Sequence, residues 1–372
     1  MTEEADQKIN LLGLDKKKLE SLFDCMGEPR YRAHQVLKWI HAEGVRDFDL
    51  MLNLSKALRQ KLKLIATIDV PEILKMQVSE DGAQKWLFSV LGGSAIEAVL
   101  IPEEDRATLC VSCQVGCMLN CRFCHTGRQG FHRNLSVDEI IGQLWVATHG
   151  LGSQGDLETK RKAITNVVFM GMGEPLLNYD NVLSAIHIMQ DDLAYGLAKK
   201  RITVSTAGFV PKIDQLAKDT DVSLALSLHA PDDALRTQLM PLNKKYPIET
   251  VLAACLRYIE AGKRRILTVE YVMLKGVNDS PLHAKKLLKL LRNLPVKINL
   301  IPFNPFIGSE YSRSDNATVL AFQEILMNGG IITLTRKTRG DDISAACGQL
   351  AGQVRDRTMR SYRLSQEAQP SC

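Results

Sequence analysis

Apolar residues in the first part of the chain recur at the three- to four-residue spacing of amphipathic helices. The pattern covers residues 11–65, where Pro29 separates the first two segments and a third segment runs from Leu50 to Leu64. After Pro71 the spacing changes to the alternation of β-strands. Three short runs separated by glycine-containing turns predict a small antiparallel sheet: 72–79, 84–91 and 95–101.

From residue 107 onward, strand-like runs alternate with helical ones. Runs such as VSLAL and KINLI are apolar on both faces, as expected of parallel strands covered by helices. The predicted strands are 107–113, 164–170, 201–206, 222–228, 265–273, 297–302 and 331–335. The predicted helices are 136–148, 180–190, 211–218, 247–261, 281–293 and 316–328. The first helix starts with a capping box formed by Ser136 and Glu139. This repetition predicts an α/β fold, an open or partial (β/α) barrel with its chemistry at the C-terminal ends of the strands.

Length and composition are those of an ordinary globular protein. The 372 residues leave room for one domain of roughly 250 residues and a smaller one. The apolar runs are shorter than the 18 or so residues of a membrane span, and the start MTEEADQKIN lacks the features of a secretory signal. We therefore expect a cytoplasmic protein with no membrane partner. We also expect a monomer, although length and composition do not determine this. The patterns predict a helical domain, a β extension, the barrel and a C-terminal segment: 1–70, 71–104, 105–345 and 346–372.

The net charge of +5 and the isoelectric point near 8.6 permit a nucleic-acid partner without requiring one. Basic side chains are frequent in the helical N-terminal region: Lys16, Lys17, Lys18, Arg30, Arg32, Lys38, Arg59, Lys61 and Lys63. They form either a solvated helix face or a face that contacts RNA.

Five of the nine cysteines lie between Cys110 and Cys124, and such crowding in a reducing compartment favours metal binding or redox chemistry over a disulfide framework. Cys117, Cys121 and Cys124 follow a C-x3-C-x2-C spacing, so one loop can turn three thiolates toward a common point. Structural zinc and [4Fe-4S] clusters normally take four protein ligands, and a cluster with three keeps one iron open to a small molecule. The alternative is a zinc site completed by His125, His132 or Cys113.

A glycine-rich turn, GMGEP at Gly171–Pro175, follows the second predicted barrel strand. Glycines at a strand end allow a ligand to approach the backbone, and a carboxylate there can hold an ammonium group. By itself such a sequence is more often a simple turn than a site. Its position one βα unit after the cysteine loop favours a site.

Six motifs resemble, in order and spacing, the RlmN/Cfr group of radical SAM RNA methyltransferases over essentially the whole chain. They are TLCVSCQVGCMLNCRFCHTG, FMGMGEPLLN, STAG, SLHAP, NLIPFNP and TRKTRGDDISAACGQL. The resemblance implies a radical SAM partial (β/α)6-type barrel with a helical N-terminal accessory domain that binds RNA. RlmN-type enzymes methylate C2 of an adenosine in the peptidyl-transferase centre of 23S rRNA and, in some bacteria, of the adenosine after the tRNA anticodon. Cfr-type enzymes methylate C8; we expect the RlmN activity, because housekeeping enzymes are commoner.

The same resemblance implies the cofactors and their ligands. Cys117, Cys121 and Cys124 would hold a [4Fe-4S] cluster whose open iron takes S-adenosyl-L-methionine (SAM), and an electron donor such as a flavodoxin system would reduce it. The residues expected to line the SAM site are Gly173, Glu174, Ser205, Ser227, Leu228, His229 and Asn304.

Two further cysteines and a carboxylate acquire roles from the resemblance. An aromatic C2–H is neither acidic nor nucleophilic, so ordinary methyl transfer from SAM is unfavourable there. In the family, one SAM methylates a cysteine, here Cys347, and a second gives a 5′-deoxyadenosyl radical that takes hydrogen from the S-methyl group. The carbon radical adds to adenine, Glu97 removes a proton, and Cys110 releases the product by forming a disulfide with Cys347. From the residues alone, Glu97 is also compatible with a charge on a sheet edge.

Cys113 departs from the family, because RlmN-type sequences commonly have serine at this position. It is either inert, a replacement for Cys110 as the resolving thiol, or its partner in an off-pathway disulfide, and we favour the inert role. The remaining cysteines need only core or surface placement: Cys25, Cys255 and Cys372.

Basic residues flank the segment around Cys347 and would contact RNA phosphates without reading sequence: Arg336, Lys337, Arg339, Arg355, Arg357, Arg360 and Arg363. Two other functions remain open from the residues. One is another radical SAM activity, such as a glycyl-radical activating enzyme, which needs neither Cys347 nor RNA. The other is a zinc-stabilised RNA-binding module.

Overall fold

The computed structural model describes residues 8–150, 164–263 and 265–353. Its helices are α1 (Lys16–Cys25), α2 (Arg30–His41), α3 (Lys56–Ile65), α4 (His125–Arg128), α5 (Val137–His149), α6 (Tyr179–Gln190), α7 (Val210–Asp219), α8 (Asp233–Leu239), α9 (Ile248–Glu260), α10 (Pro281–Leu291) and α11 (Asn316–Asn328). Its strands are β1 (Ile9–Asn10), β2 (Ala66–Thr67), β3 (Ile73–Val78), β4 (Gln84–Val90), β5 (Ser94–Pro102), β6 (Ala107–Cys110), β7 (Gln114–Gly116), β8 (Phe131–Asn134), β9 (Asn166–Phe169), β10 (Ile202–Thr206), β11 (Ser223–Ser227), β12 (Leu267–Met273), β13 (Val296–Pro302) and β14 (Ile332–Thr335). None of the helices described is both long and apolar enough to cross a bilayer.

Ten strands form one sheet in the order β14-β13-β12-β11-β10-β9-β6-β5-β4-β3. Strands β6 and β9 to β14 pair in parallel, and β5, β4 and β3 continue the sheet antiparallel. Within the described residues the two end strands, β14 and β3, do not pair with each other, so the barrel stays open. The predicted partial barrel with a small antiparallel sheet leading into it is confirmed.

The seven predicted barrel strands and six helices all form, because their apolar patterns are long and regular. The largest boundary difference is in the first strand, which ends at Cys110 instead of residue 113. The capping box also forms, since the Glu139 carboxylate accepts a hydrogen bond of 3.0 Å from the Ser136 backbone N–H. The short β7–β8 hairpin and the helices α4 and α8 were not predicted, because they are too short for a clear apolar period.

Strand β12 shows why the inside of the barrel is more polar than its apolar sequence suggests. Every residue of Leu267–Met273 is buried. The alternate side chains of Thr268 and Glu270 line a cavity inside the barrel, together with polar side chains of other strands such as Thr203 and Asn299. The interior therefore offers hydrogen-bonding groups below the site.

The N-terminal helices pack against α5 of the barrel. The Trp145 indole N–H donates a 2.8 Å hydrogen bond to the Ile40 carbonyl oxygen. Gly142 lies so close to Pro71 that a Cβ there would be 2.2 Å from the proline Cδ, which explains a glycine inside this helix. Removing the N-terminal region would thus uncover part of the barrel. The four-part division of the chain stays a prediction.

His41 lies buried at this contact, with 1% of its surface exposed. Burial lowers its pKa to about 3, with a further contribution from His149. An unfolded histidine titrates near 6.5, so at lower pH the unfolded chain binds one more proton here than the folded chain. Stability from this residue is complete above about pH 6.5 and is lost as the pH falls toward 3.

We therefore expect the free energy of unfolding to drop below pH 6.5, by up to about 1.4 kcal/mol per pH unit for this one residue. Urea unfolding between pH 7.5 and 5.5 measures the slope. The His41→Gln variant should show a shallower slope than the natural protein, and equal slopes would rule out His41 as a source of acid sensitivity.

Candidate active site

The cysteine loop after β6 brings three thiols to the C-terminal ends of the barrel strands. Cys117, Cys121 and Cys124 line one cavity of about 930 Å³, which we call the cluster cavity. The backbone N–H of Cys117 donates to Gly130, and that of Cys124 donates to Cys121, so both loop ends are fixed. Burial raises the pKa of the Cys121 thiol well above its usual value, and the nearby Cys117 and Cys124 raise it further. The three predicted cluster ligands are therefore close together.

The arrangement fits a cluster better than a single zinc ion. Among the residues described, no group of three or more His, Cys, Asp or Glu side chains could hold one metal ion. Thiolates on different corners of a cubane lie farther apart than thiolates that share an ion. The residues proposed to complete a zinc site are engaged elsewhere, since His125 stacks on Phe306 at 4.7 Å and His132 Nδ1 lies 3.1 Å from Ser94 Oγ.

The glycine-rich turn forms the next wall of the cluster cavity. Gly173 has φ +101°, and a Cβ there would lie 2.5 Å from Gln114 Cβ, so the turn requires glycine. The Glu174 carboxylate accepts backbone N–H bonds from Leu176 at 3.2 Å and Ala207 at 2.9 Å. Burial nevertheless raises the pKa of Glu174 to about 7. A cationic ammonium group in the cavity would favour its charged form.

Three more predicted SAM residues line the same cavity: Ser205, Ser227 and His229. His229 has φ +60°, and its Nδ1 accepts a 3.0 Å hydrogen bond from the Val272 backbone N–H. Burial, followed by the charge of Arg236, lowers the pKa of His229 to about 3. The ring is therefore neutral and carries its proton on Nε2, as a hydrogen-bond donor. Leu228 is different, because its side chain is fully buried in the core and does not line the cavity.

A second cavity of about 620 Å³, the thiol cavity, contains both Cys110 and Cys347. Both are free thiols. Burial raises the pKa of Cys110 to about 12, and the charge of Cys347 contributes. Asn304 lines this second cavity rather than the first, and its Nδ2 donates to the Cys347 carbonyl oxygen at 3.4 Å. Cys347 itself lines both cavities and so connects them.

The chain closes over the site because the segment after β14 folds back onto the antiparallel sheet. Gln353 and Ala95 exchange two backbone hydrogen bonds of 2.9 Å each. The Thr126 hydroxyl donates to the Leu350 carbonyl oxygen at 2.6 Å, which ties the cysteine loop to the same segment. Two segments far apart in sequence thus meet at the thiols.

Comparisons with known proteins agree with this geometry. Residues 9–68 match the ribosomal RNA large subunit methyltransferase N-terminal domain, and residues 111–288 match the radical SAM superfamily. The chain is 57% identical over 358 residues to the dual-specificity RNA methyltransferase RlmN of Pseudomonas putida, covering 96% of this chain and 93% of that protein. The chain belongs to the RlmN family.

Two further comparisons support the RlmN family assignment. The dual-specificity RNA methyltransferase RlmN of Pseudomonas fluorescens is 57% identical over 357 residues, with coverage of 96% and 93%. The crystal structure of a radical SAM methyltransferase from Sphaerobacter thermophilus matches with a TM-score of 0.85 at 42% identity, over 92% of this chain and 99% of that one. The radical SAM superfamily uses a [4Fe-4S] cluster and SAM, which confirms the two predicted cofactors.

Glu97 is the predicted RlmN-type residue that lies apart from the others. One carboxylate oxygen is 3.1 Å from Lys85 Nζ, and the other accepts a 2.8 Å bond from the Ala351 backbone N–H. It lines a separate opening with His125 and Phe306, and neither the cluster cavity nor the thiol cavity includes it. Its role as proton acceptor stays a prediction.

Cys113, the departure from the family pattern, is held away from both cavities. It is 2% exposed, and its thiol donates to the Met172 carbonyl oxygen at 3.6 Å. Burial raises its pKa well above the usual value, with smaller contributions from Glu174 and Cys117. This surrounding favours the inert role.

Two arginines have contacts inside the site that were not predicted from the sequence: Arg236, which is fully buried, and Arg336, which is partly buried. Arg236 on α8 donates to the carbonyl oxygens of Ala207 at 2.7 Å and Leu228 at 3.1 Å, which fixes two strand-end loops. Arg336, grouped above with RNA-contacting residues, instead turns inward, where its Nη1 lies 3.2 Å from Cys347 Sγ. Closure of the chain partly buries this guanidinium, and its contact with RNA stays a prediction.

Proposed function

We propose that this protein methylates C2 of an adenosine in 23S rRNA and of the adenosine after the anticodon in tRNAs, with the methyl group carried on Cys347. The observation that supports this most is the position of Cys347 between the cluster cavity and the thiol cavity. A carrier must meet the methyl donor on one side and the resolving thiol on the other. The dual-specificity name of the RlmN relatives supports the two RNA classes.

The reaction divides between the bound cofactors and the chain. Held by Cys117, Cys121 and Cys124, the cluster with SAM supplies the methyl group and the hydrogen-abstracting radical that an unreactive C2–H requires. Glu174 and His229 offer an acceptor and a donor inside the same cavity.

Cys347 and Cys110 are the residues of the chain that form covalent bonds in the proposed reaction. The Cys347 sulfur accepts the methyl group. Once that group has lost a hydrogen atom, its carbon bonds to C2 of adenine, and the protein is then linked to RNA through the sulfur. The adduct must then lose a proton and one electron, which the cluster would take up. The Cys110 thiolate attacks the Cys347 sulfur, an S–S bond forms, the S–C bond breaks, and the carbon keeps the electron pair and takes up a proton to become the product methyl group. The raised pKa of Cys110 means that its thiol must lose a proton first, and Glu97 would accept the proton from adenine. To accept this proton, a carboxylate oxygen of Glu97 must leave Lys85 or Ala351 and contact the adenine instead.

RNA binding is proposed for the basic N-terminal helices together with Lys337 and Arg339 near Cys347. Lys337 is exposed, and Arg339 lies at the edge of the site, 3.9 Å from Asp81. Four of the arginines predicted to help lie outside the described residues: Arg355, Arg357, Arg360 and Arg363.

Exposed lysines of the N-terminal helices should contribute salt-dependent RNA affinity. Because the N-terminal region covers α5, we test charge at single positions rather than deletion. The Lys17→Glu, Lys61→Glu double variant should bind RNA more weakly, with a slope of log K against log salt flatter by about one per lost phosphate contact. Lys289→Glu on α10 is the matched control. If the double variant keeps the affinity and slope of the natural protein, these helices do not contact RNA.

Electron supply and assembly rest on the resemblance alone. We propose a flavodoxin-type reductant and a monomer acting in the cytoplasm.

C8 methylation of the Cfr type is the second candidate, since it would use the same residues. Mass spectrometry of nucleosides from rRNA and tRNA, in cells with and without the gene, separates the two. We expect 2-methyladenosine to disappear with the gene. Loss of 8-methyladenosine would make the enzyme Cfr-type, and no change in either would refute the proposal.

A further inference from the structure

Arg336 is partly buried inside the barrel, where a guanidinium usually has a carboxylate partner. Its Nη1 has two side-chain partners, both sulfur atoms: Cys347 Sγ at 3.2 Å and Met170 Sδ at 3.7 Å. Within the described part of the chain it forms no ion pair with an Asp or Glu. The charge of Cys347 raises the pKa of Arg336, against the lowering effect of burial. A thiolate at Cys347 would therefore be its natural counter-ion.

Glu270 on β12 is 3% exposed, and only one of its two carboxylate oxygens has a hydrogen-bond partner among the described residues. Its Oε1 accepts a 2.9 Å hydrogen bond from Asn299 Nδ2. Its Oε2 is buried and has no partner among the residues described. An orphaned buried carboxylate oxygen is costly unless some state of the protein supplies a donor.

The side chains of Arg336 and Glu270 line the same two cavities. Arg336 and Glu270 both line the cluster cavity, and both line a larger cavity below it at the amino ends of the barrel strands. Arg336 also lines the thiol cavity. The guanidinium thus contacts a sulfur that changes charge during the reaction, and it lines the same two cavities as a carboxylate oxygen that has no partner among the described residues.

We propose that Arg336 is a positioning residue which holds the Cys347 sulfur as a thiolate for methylation and then moves to the free oxygen of Glu270 once the sulfur is methylated. The proposal rests on the function of Cys347 as methyl carrier.

The charge balance of methylation explains the movement. Cys347 first loses its proton to solvent. Its sulfur then bonds to the methyl carbon, and the electron pair of the broken bond goes to the sulfur of the donor, which leaves as neutral S-adenosylhomocysteine. A thiolate and a sulfonium become two neutral sulfurs. A thioether is a weak acceptor without charge, so Arg336 loses its counter-ion and Glu270 offers the remaining one.

The first half of the proposal is tested by alkylation of Cys347 without SAM or RNA. Cluster-loaded protein is treated anaerobically with iodoacetamide, and the rate at Cys347 is read by peptide mass spectrometry. A cation beside a sulfur favours the reactive thiolate form, so its removal should slow alkylation roughly ten-fold. Arg336→Gln should be slower by about that factor, while Arg336→Lys, which keeps the charge, should recover most of it. Arg292→Gln, exposed at the end of α10, is the control.

Equal alkylation rates in the natural protein and Arg336→Gln would overturn this half. So would equal slowing in Arg336→Lys and Arg336→Gln, because shape and not charge would then be responsible. The visible spectrum of the cluster verifies that each variant is folded and loaded.

The second half is tested by thermal unfolding of two single variants and their combination. In Cys347→Ala the sulfur is absent, so Arg336 should pair with Glu270 and stability should change little. In Cys347→Ala, Glu270→Gln the guanidinium has neither partner. The melting temperature of the double variant should therefore fall by roughly 2 °C or more beyond the sum of the single changes. Additive changes would show that Arg336 does not move to Glu270.

These results separate the inference from the proposed function. If Cys347→Ala still methylates RNA, the carrier role fails whatever the alkylation rates are. If Cys347→Ala is inactive but Arg336→Gln alkylates normally, the carrier role stands and the role of Arg336 fails.

Discussion

Protein with Cys110→Ala is expected to accumulate in covalent linkage to RNA through Cys347. Cys347 can still be methylated, activated and joined to adenine in this variant, but no thiol attacks its sulfur to release the product. Both cysteines line the thiol cavity, so loss of Cys110 leaves that position without a thiol. Denaturing gel electrophoresis with labelled RNA, followed by mass spectrometry of the linked peptide, measures the trapped species.

Cys347→Ala is the complementary variant and should give neither linked RNA nor methylated product. Turnover should fall to background, since the carrier sulfur is missing. Cys113→Ala is the matched control, because Cys113 lies on the same segment but donates to Met172 away from both cavities. Near-normal turnover is expected for it. Trapped RNA in Cys113→Ala would move the resolving role to Cys113, and normal turnover in both Cys110→Ala and Cys347→Ala would end the two-cysteine mechanism.

Replacing any one cluster ligand is the second change with a very large expected effect. Cys121→Ala should lose the visible absorption of the cluster and fall from about four irons per chain to nearly none. SAM cleavage to 5′-deoxyadenosine should disappear with it. The physical reason is that Cys117 and Cys124 alone leave two irons without thiolates.

The control for this change is Cys25→Ala, an exposed cysteine at the end of α1. It should keep full iron content and SAM cleavage. Full cluster content in Cys121→Ala would contradict the ligand assignment, and loss of iron from Cys25→Ala would point to a general fault in loading.

The sequence predicted the framework well because its signals are local. Apolar period fixes β9 to β14 and their helices, and the C-x3-C-x2-C spacing alone brings three thiols to one loop. A strand-end glycine with φ +101°, Gly173, is also a local feature.

What the sequence could not predict depends on how distant segments meet. The charge of Arg336 is visible in the sequence, but its direction is set by the return of residues 336–353 over the thiols. Glu270 lies in a strand with a mostly apolar sequence, and only the packing of β12 shows that one of its oxygens has no partner among the described residues. The family motif predicts that Glu97 is a proton acceptor. It does not predict the contacts with Lys85 and Ala351 that determine where the carboxylate lies.

The central claim is that the methyl group reaches adenine by way of the Cys347 sulfur and a radical. This route is tested by in vitro turnover with SAM whose methyl group is trideuterated. Mass spectrometry is applied to the nucleoside produced in turnovers later than the first. We expect a methyl group at C2 of adenosine with two deuteriums retained, because one is abstracted while the group is on Cys347. A methyl group that keeps all three deuteriums would show direct transfer from SAM and rule out Cys347 as the carrier in a radical reaction.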